Sequence, residues 1–167
     1  KMKPNENLQK MEFAPEEPIT APVVKEVVGN ESPNIILGWR FPSANSPESI
    51  VLDAFSNVLQ NGKAGLIDLD VNQQQKTLGM YSGVENLADY SLFLVMAEPK
   101  PGQTLDEVKD IALAEIEKVK AGDFDESLLE ATINNLKLGY MKRIENRGYM
   151  ARMAVNSFIE DIPWENV

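Results

Sequence analysis

The sequence has 167 residues, 43% of them hydrophobic and 25% charged, which is the composition of an ordinary water-soluble globular domain. It contains no cysteine and no histidine, which excludes disulfides, thiolate metal sites and the commonest ligand of catalytic zinc. The net charge of −10 repels nucleic-acid phosphates and anionic lipids, and no apolar run approaches the roughly 18–20 residues that span a bilayer. We therefore expect no catalytic activity, cofactor, nucleic-acid partner or membrane partner for this chain.

The beginning of the chain has the composition of an extended tether, with prolines among polar and charged residues and no helical or alternating period. We interpret residues 1–21 as an interdomain linker. Residues 22–167 are then a single α+β domain, which we expect to be incomplete at its C-terminal end. The valines within residues 23–28 predict an edge strand at the start of this domain.

The next part of the sequence predicts one strand and two helices. Alternating apolar residues predict a strand over residues 34–41. Ser46 and Pro47 predict a helix start, because serine caps free amide groups and proline fits the first helical position. The buried stripe of this helix is expected to contain Val51, Ala54, Phe55 and Val58. A glycine-containing loop at residues 62–65 then leads to a second predicted helix over residues 66–75.

A β-hairpin and a well-signalled helix follow. Residues 76–83 and residues 89–97 are predicted to pair as the two strands of the hairpin, and the second strand places Tyr90, Leu92, Leu94 and Met96 on one face and Ser91, Phe93, Val95 and Ala97 on the other. Thr104 and Glu107 have the spacing of a capping box, so a helix should begin there. Gly122 marks the end of that helix, because glycine readily adopts the left-handed conformation of a C-terminal cap.

Two more helices complete the predicted fold. Asp123 or Asp125 is expected to cap the longest helix, and a last helix is predicted over residues 147–160 with Phe158 facing inward. Consecutive strands followed by grouped helices favour an α+β fold, an antiparallel sheet with helices packed on one face. The apolar face of the longest helix should contain Leu129, Ile133, Leu136, Tyr140 and Ile144. Residues expected to be buried between sheet and helices are Phe55, Leu94, Ile111 and Leu136.

Two local features could carry chemistry. Asp68 and Asp70 stand two positions apart, so on a helix their side chains diverge, and we interpret them as a solvated face. The loop at residues 62–65 could hold a phosphate with its amide groups, but it lacks the spacing of known phosphate-binding motifs. We favour a tight turn between helices, and the residues alone predict a domain without an active site.

The segment from Asn34 to about Ile159 resembles one of the repeated α+β domains of the pitrilysin/insulinase family of zinc peptidases. The resemblance rests on the order and spacing of segments that match the family domain, at residues 34–41, 58–62, 65–67, 78–97, 105–122 and 126–131. It is greatest with the second domain of the N-terminal half, which holds no zinc. A proline-rich tether before the domain fits an interdomain position.

The resemblance implies where catalytic groups should be. Family members pair a zinc domain, marked by H-x-x-E-H and a distant glutamate, with domains of the same fold that lack these ligands. Since this chain has no histidine, zinc is expected in another domain of the parent protein. A further family domain uses an arginine at a fixed spacing before the tyrosine of a Leu-Gly-Tyr motif. Gln73 and Met80 occupy those positions here and Tyr81 is displaced by one, so no catalytic residue is expected.

The expected function is that of a non-catalytic domain in a larger zinc-dependent endopeptidase, helping to enclose and bind peptide substrate. Gly79, Tyr81 and Gly83 are the candidate substrate contacts, because glycines in a strand let another backbone approach. The alternative is a structural assembly module of the same fold without peptidase activity. Implied partners are peptide substrate and other domains of the same polypeptide, and the implied location is a bacterial periplasm or cell envelope.

Overall fold

The computed structural model describes residues 13–166, which form two units, residues 13–31 and residues 32–166. The first unit contains no helix or strand, and the four valines within residues 23–28 are exposed, so the predicted edge strand is wrong. In an extended chain each face of this stretch would carry a charged residue between two valines, so neither face is apolar. The division into a linker at residues 1–21 and a domain at residues 22–167 stays a prediction, of which residues 1–12 lie outside the described part.

The second unit is built on a three-stranded antiparallel sheet with the strand order β1-β3-β2. Its helices α1 and α2 pack on one face of that sheet, so the predicted α+β fold is confirmed. The elements in chain order are β1 (Ile35–Pro42), α1 (Glu48–Leu59), a π-helical turn (Ile67–Asn72), β2 (Gly79–Asn86), β3 (Tyr90–Glu98), α2 (Leu105–Ala121), α3 (Glu126–Ile144), α4 (Arg147–Ile159) and a 3₁₀ turn (Trp164–Asn166).

The core lies between the sheet and helices α1 and α2. Alternate residues of the central strand β3, among them Phe93 and Val95, point toward the helices and are buried. Phe93 contacts the rings of Trp39 on β1 and Phe55 on α1, at centroid distances of 5.6 and 5.4 Å. Helix α2 contributes Val108, Ala112 and Ile116 to the same core. This single layer of helices leaves the opposite face of the sheet open within residues 32–166.

Several predicted burial positions are wrong. On α1, Leu52 and Leu59 are buried and Val51 is exposed, because the helix turns its leucines toward the core. Leu94 lies on the open face of the sheet, since alternation with Phe93 and Val95 directs it away from the helices. The predicted apolar face of α3 is partly exposed, with Leu136 at 36%, and Phe158 of α4 is exposed. Phe55 and Ile111 pack against the core as expected.

Helix α1 begins one residue later than predicted. Pro47 occupies the cap position and Glu48 is the first helical residue, although the Ser46 hydroxyl accepts a hydrogen bond from the Glu48 amide at 3.2 Å.

The helix-start signals of α2 and α3 and the helix-stop signal of α2 are confirmed. The Thr104 hydroxyl accepts a hydrogen bond from the Glu107 amide, and the Glu107 carboxylate accepts one from the Thr104 amide. Asp125 caps α3 by accepting a hydrogen bond from the Ser127 amide at 2.8 Å. Gly122 ends α2 with a φ of 71°, which glycine adopts without steric strain.

The predicted helix over residues 66–75 is instead a π-helical turn that ends at Asn72. The amide of Lys76 donates to the carbonyl of Val71 at 2.9 Å, and Gln75 has a positive φ of 51°. These features close the turn and reverse the chain before the strand. As a result β2 begins at Gly79 and runs to Asn86, later than the predicted residues 76–83.

Candidate functional site

The three candidate contact residues all lie on β2, which is an edge strand of the sheet in the described part of the chain. Gly79, Tyr81 and Gly83 stand on the open face, where their neighbours on β3 are Glu98, Met96 and Leu94 respectively. The period of two along a strand brings them onto this common face.

A depression of about 200 Å³ lies beside Gly83 on this open face. Its lining is mostly apolar and includes Tyr81, Leu94 and Met96, with Glu85 also lining it. The side chains of Tyr81 and Met96 are 58% and 47% exposed, so this apolar surface is accessible within residues 32–166. The depression can accept one medium-sized apolar side chain.

The two glycines of this face have different surroundings. A Cβ atom on Gly79 would lie 3.2 Å from Cε2 of Tyr81, so Gly79 makes room for the tyrosine ring. A Cβ atom on Gly83 would meet nothing within 4 Å. The open space that a second chain could use is therefore at Gly83.

The outer edge of β2 is already hydrogen-bonded along its first half. Asn72 Oδ1 accepts from the Met80 amide at 3.0 Å, and Asn72 Nδ2 donates to the Met80 carbonyl at 2.9 Å. Gln60 Oε1 accepts from the Ser82 amide at 2.6 Å, and Gln60 Nε2 donates to the Met80 carbonyl at 3.3 Å. We call these two side chains, Gln60 and Asn72, the amide cover.

The second half of the same edge lacks such a cover in residues 13–166. Alternate residues of a strand direct their backbone groups to the same side, so Val84 presents its amide and carbonyl to the edge that Met80 and Ser82 share. No described side chain bonds to these groups of Val84. An extended chain could pair there directly.

A buried carboxylate shapes the loop that leads to the amide cover. Asp68 Oδ2 accepts hydrogen bonds from the amides of Asn61, Lys63 and Gly65, at 3.1, 3.1 and 3.2 Å. Gly65 packs so closely on the end of α1 that a Cβ atom would lie 2.5 Å from the Leu59 carbonyl oxygen. The interpretation of Asp68 as a solvated residue is therefore wrong. The loop does bind an anion with its amide groups, and that anion is its own aspartate.

An ion-pair network ties the π-helical turn to α2. Lys118 Nζ lies 2.7 Å from Asp70 Oδ2 and 2.9 Å from Glu115 Oε2. Burial acts to lower the pKa of Lys118, but hydrogen bonds to Asp70 and Glu115 outweigh it, and the pKa is raised overall. Asp70 is thus partly exposed and paired, and Glu115 is a buried carboxylate that no motif in the sequence indicates.

No described group has the chemistry of a catalytic zinc centre. Within residues 13–166, carboxylate side chains form no cluster of three that could hold a metal ion. The whole sequence lacks the histidine ligands that the resemblance implies for zinc. The described residues therefore do not fit the metal. No helix in the described range has the length and apolarity needed to cross a bilayer.

The fold and its edge strand define an α+β domain built on a small antiparallel sheet. A family model described as the Peptidase M16 inactive domain matches residues 1–136. The chain belongs to this family. M16 is the designation of the pitrilysin/insulinase peptidases, so the resemblance to a zinc-free, non-catalytic domain of that family is confirmed.

The chain is similar to parts of longer bacterial proteins. It is 23% identical over 128 residues to the zinc protease PqqE of Helicobacter pylori, which is 76% of this chain and 29% of that protein. A protease structure from Helicobacter pylori matches with a TM-score of 0.70 at 23% identity, over 77% of this chain and 31% of that one. The chain thus spans less than a third of the length of these two relatives.

A second matching structure is that of an inactive peptidase domain without the rest of its protein. The inactive peptidase domain of a candidate zinc protease from Bordetella parapertussis matches with a TM-score of 0.67 at 16% identity. The match covers 78% of this chain and 70% of that domain. At these identities the structural matches show the fold alone.

Proposed function

We propose that this non-catalytic domain helps to enclose and bind peptide substrate in a larger zinc-dependent endopeptidase. Zinc would be held by another domain of the same polypeptide, since the residues here do not fit it. The observation that carries the proposal is the β2 edge beside Gly83, where the free backbone of Val84 adjoins an apolar depression.

This arrangement suits an extended peptide. A peptide that pairs with Val84 gains main-chain hydrogen bonds whatever its sequence, and a side chain next to Gly83 enters the depression against Leu94 and Met96. Tyr81 borders the same depression and supplies an exposed aromatic surface. Gly79 contributes by making room for the Tyr81 ring.

Filling the depression tests the proposal. Gly83→Val places a β-branched side chain in open space on a strand, so folding should be preserved while the peptide side chain is excluded. Gly29→Val is the matched control, because its Cβ atom also meets nothing within 4 Å. We expect the KM of the whole protein for peptides to rise in Gly83→Val only. An unchanged KM in a folded Gly83→Val variant would favour the alternative, a structural assembly module.

A further inference from the structure

We infer that the amide cover, Gln60 and Asn72, is a displaceable block on the β2 edge, so that a peptide pairs with Met80 and Ser82 only after both side chains swing aside. The inference rests on the proposed function, because it describes how access to the same peptide site is regulated. While the cover is in place, the Met80 amide, the Met80 carbonyl and the Ser82 amide in the first half of β2 are occupied, and in the described part of the chain the backbone groups of Val84 are free to pair.

The geometry of the cover imitates a neighbouring strand. Its two primary amides satisfy the Met80 amide, the Met80 carbonyl and the Ser82 amide, at distances of 2.6 to 3.3 Å. These are the groups that a fourth strand would bond. A peptide therefore cannot add along the whole of β2 while the cover is in place.

The cover can move without unfolding its supports. Gln60 is the C-terminal cap of α1, and its backbone amide is held separately by the Ser56 carbonyl at 2.8 Å. Asn72 is the last residue of the π-helical turn, and both side chains are only half-buried. Each can rotate about its side-chain bonds into solvent, where water replaces the lost hydrogen bonds and a peptide backbone then takes the vacated edge.

Because the amide cover must move before a peptide can pair with Met80 and Ser82, the observed affinity for peptide is lower than that of an uncovered edge. Pairing along the whole of β2 requires the cover to have moved, so the apparent dissociation constant for this longer pairing is raised by the inverse of the fraction of molecules in which the cover has moved. Removing the cover should abolish this effect. The predicted gain is about tenfold in affinity, because the four hydrogen bonds of the cover are exchanged for hydrogen bonds to water and their summed net cost is therefore small.

The test compares Gln60→Ala/Asn72→Ala with the control Gln73→Ala/Gln74→Ala in the whole protein. The control removes two exposed amides from the adjacent turn and leaves the cover intact. The probe is a fluorescein-labelled peptide of alternating valine and serine, with a zinc chelator present to prevent cleavage. Residue-resolved hydrogen exchange is recorded without peptide, and fluorescence anisotropy measures binding.

Without peptide, the amides of Met80 and Ser82 should exchange about tenfold more slowly than the Val84 amide relative to their intrinsic rates. In the cover variant they should reach the Val84 value, and peptide affinity should rise about tenfold with no change in the control. Equal exchange of all three amides in the unmodified protein would overturn the inference.

The binding measurement distinguishes failure of the inference from failure of the proposed function. A peptide that binds the unmodified protein and the cover variant equally overturns the displaceable block and leaves the proposed function standing. A peptide that binds neither overturns both. If the double variant does not fold, Gln60→Ala alone decides, because Ser82 should lose its protection while Asn72 still protects Met80.

Discussion

Asp68 helps to set the position of the amide cover. Its carboxylate accepts hydrogen bonds from three backbone amides of the preceding loop. That loop connects Gln60 to the π-helical turn that ends at Asn72. Spacing in the sequence relates Asp68 only to Asp70, which lies on a different side of the turn and pairs with Lys118. The loop contact depends on the chain folding back on itself, which local periodicity does not encode.

Asp68→Ala should reduce the free energy of unfolding by about 2–3 kcal/mol, because three amides lose a charged acceptor in a largely buried place. Asp70→Ala is the matched control, and its loss should stay below about 1 kcal/mol because the pair with Lys118 is partly exposed. Urea denaturation of both variants measures the difference. Equal losses would mean that the three hydrogen bonds of Asp68 add no stability.

Asp53 on α1 provides a pH-dependent prediction. Burial raises the pKa of this carboxyl, and a hydrogen bond from Asn86 opposes the rise only in part. An acid with a raised folded-state pKa contributes its full stability only below its unfolded pKa, about 4, and loses it as the pH rises through the folded value. Ionised Asp53 therefore destabilises the fold at neutral pH.

Asp53→Asn removes this ionisation. The melting temperature of the variant relative to the unmodified chain should rise between about pH 3 and about pH 7. Asp123→Asn, at an exposed position before α3, is the control for loss of one negative charge. The same trend in both variants would attribute the effect to net charge rather than to the buried site.

At the scale of elements, the features that the sequence predicts correctly are those whose signals act between residues close together in the chain. The capping box of Thr104 and Glu107 and the glycine at 122 act within a few residues, and they predicted the limits of α2. Alternation placed Gly79, Tyr81 and Gly83 on one face of one strand. The amide cover could not be predicted, because it depends on two side chains from separate elements that approach β2 only in the folded chain.

Substitution of one leucine on α1 and one on α3 tests which face each helix buries. Leu59→Ala should lower the unfolding free energy of the 167-residue chain by about 2–5 kcal/mol, because Leu59 is fully buried and leaves a cavity. Leu136→Ala should lower it by about 1 kcal/mol or less, because Leu136 is 36% exposed and alanine favours the helix. Denaturant midpoints compare the two, and the reverse order would contradict the observed packing of α1 and α3.

At the scale of the whole molecule, the chain has two notable properties. It belongs to a family of inactive peptidase domains, and its sheet has an edge strand, β2, with backbone groups free at Val84 within the described residues. The match to the Peptidase M16 inactive domain assigns it a non-catalytic place in zinc protease-like proteins. The absence of histidine from the sequence agrees with that assignment. Peptide binding is the proposed addition, and it depends on β2, the depression at Gly83 and the amide cover.

One titration tests this combination most directly. A labelled extended peptide is added to the purified 167-residue chain with zinc present, fluorescence anisotropy records binding, and mass spectrometry records the peptide afterwards. We expect saturable binding, weakened by Gly83→Val, and a peptide that remains intact because the usual zinc ligands are missing. Cleavage that a chelator stops would contradict the non-catalytic assignment, and the absence of saturable binding would contradict the peptide-binding role.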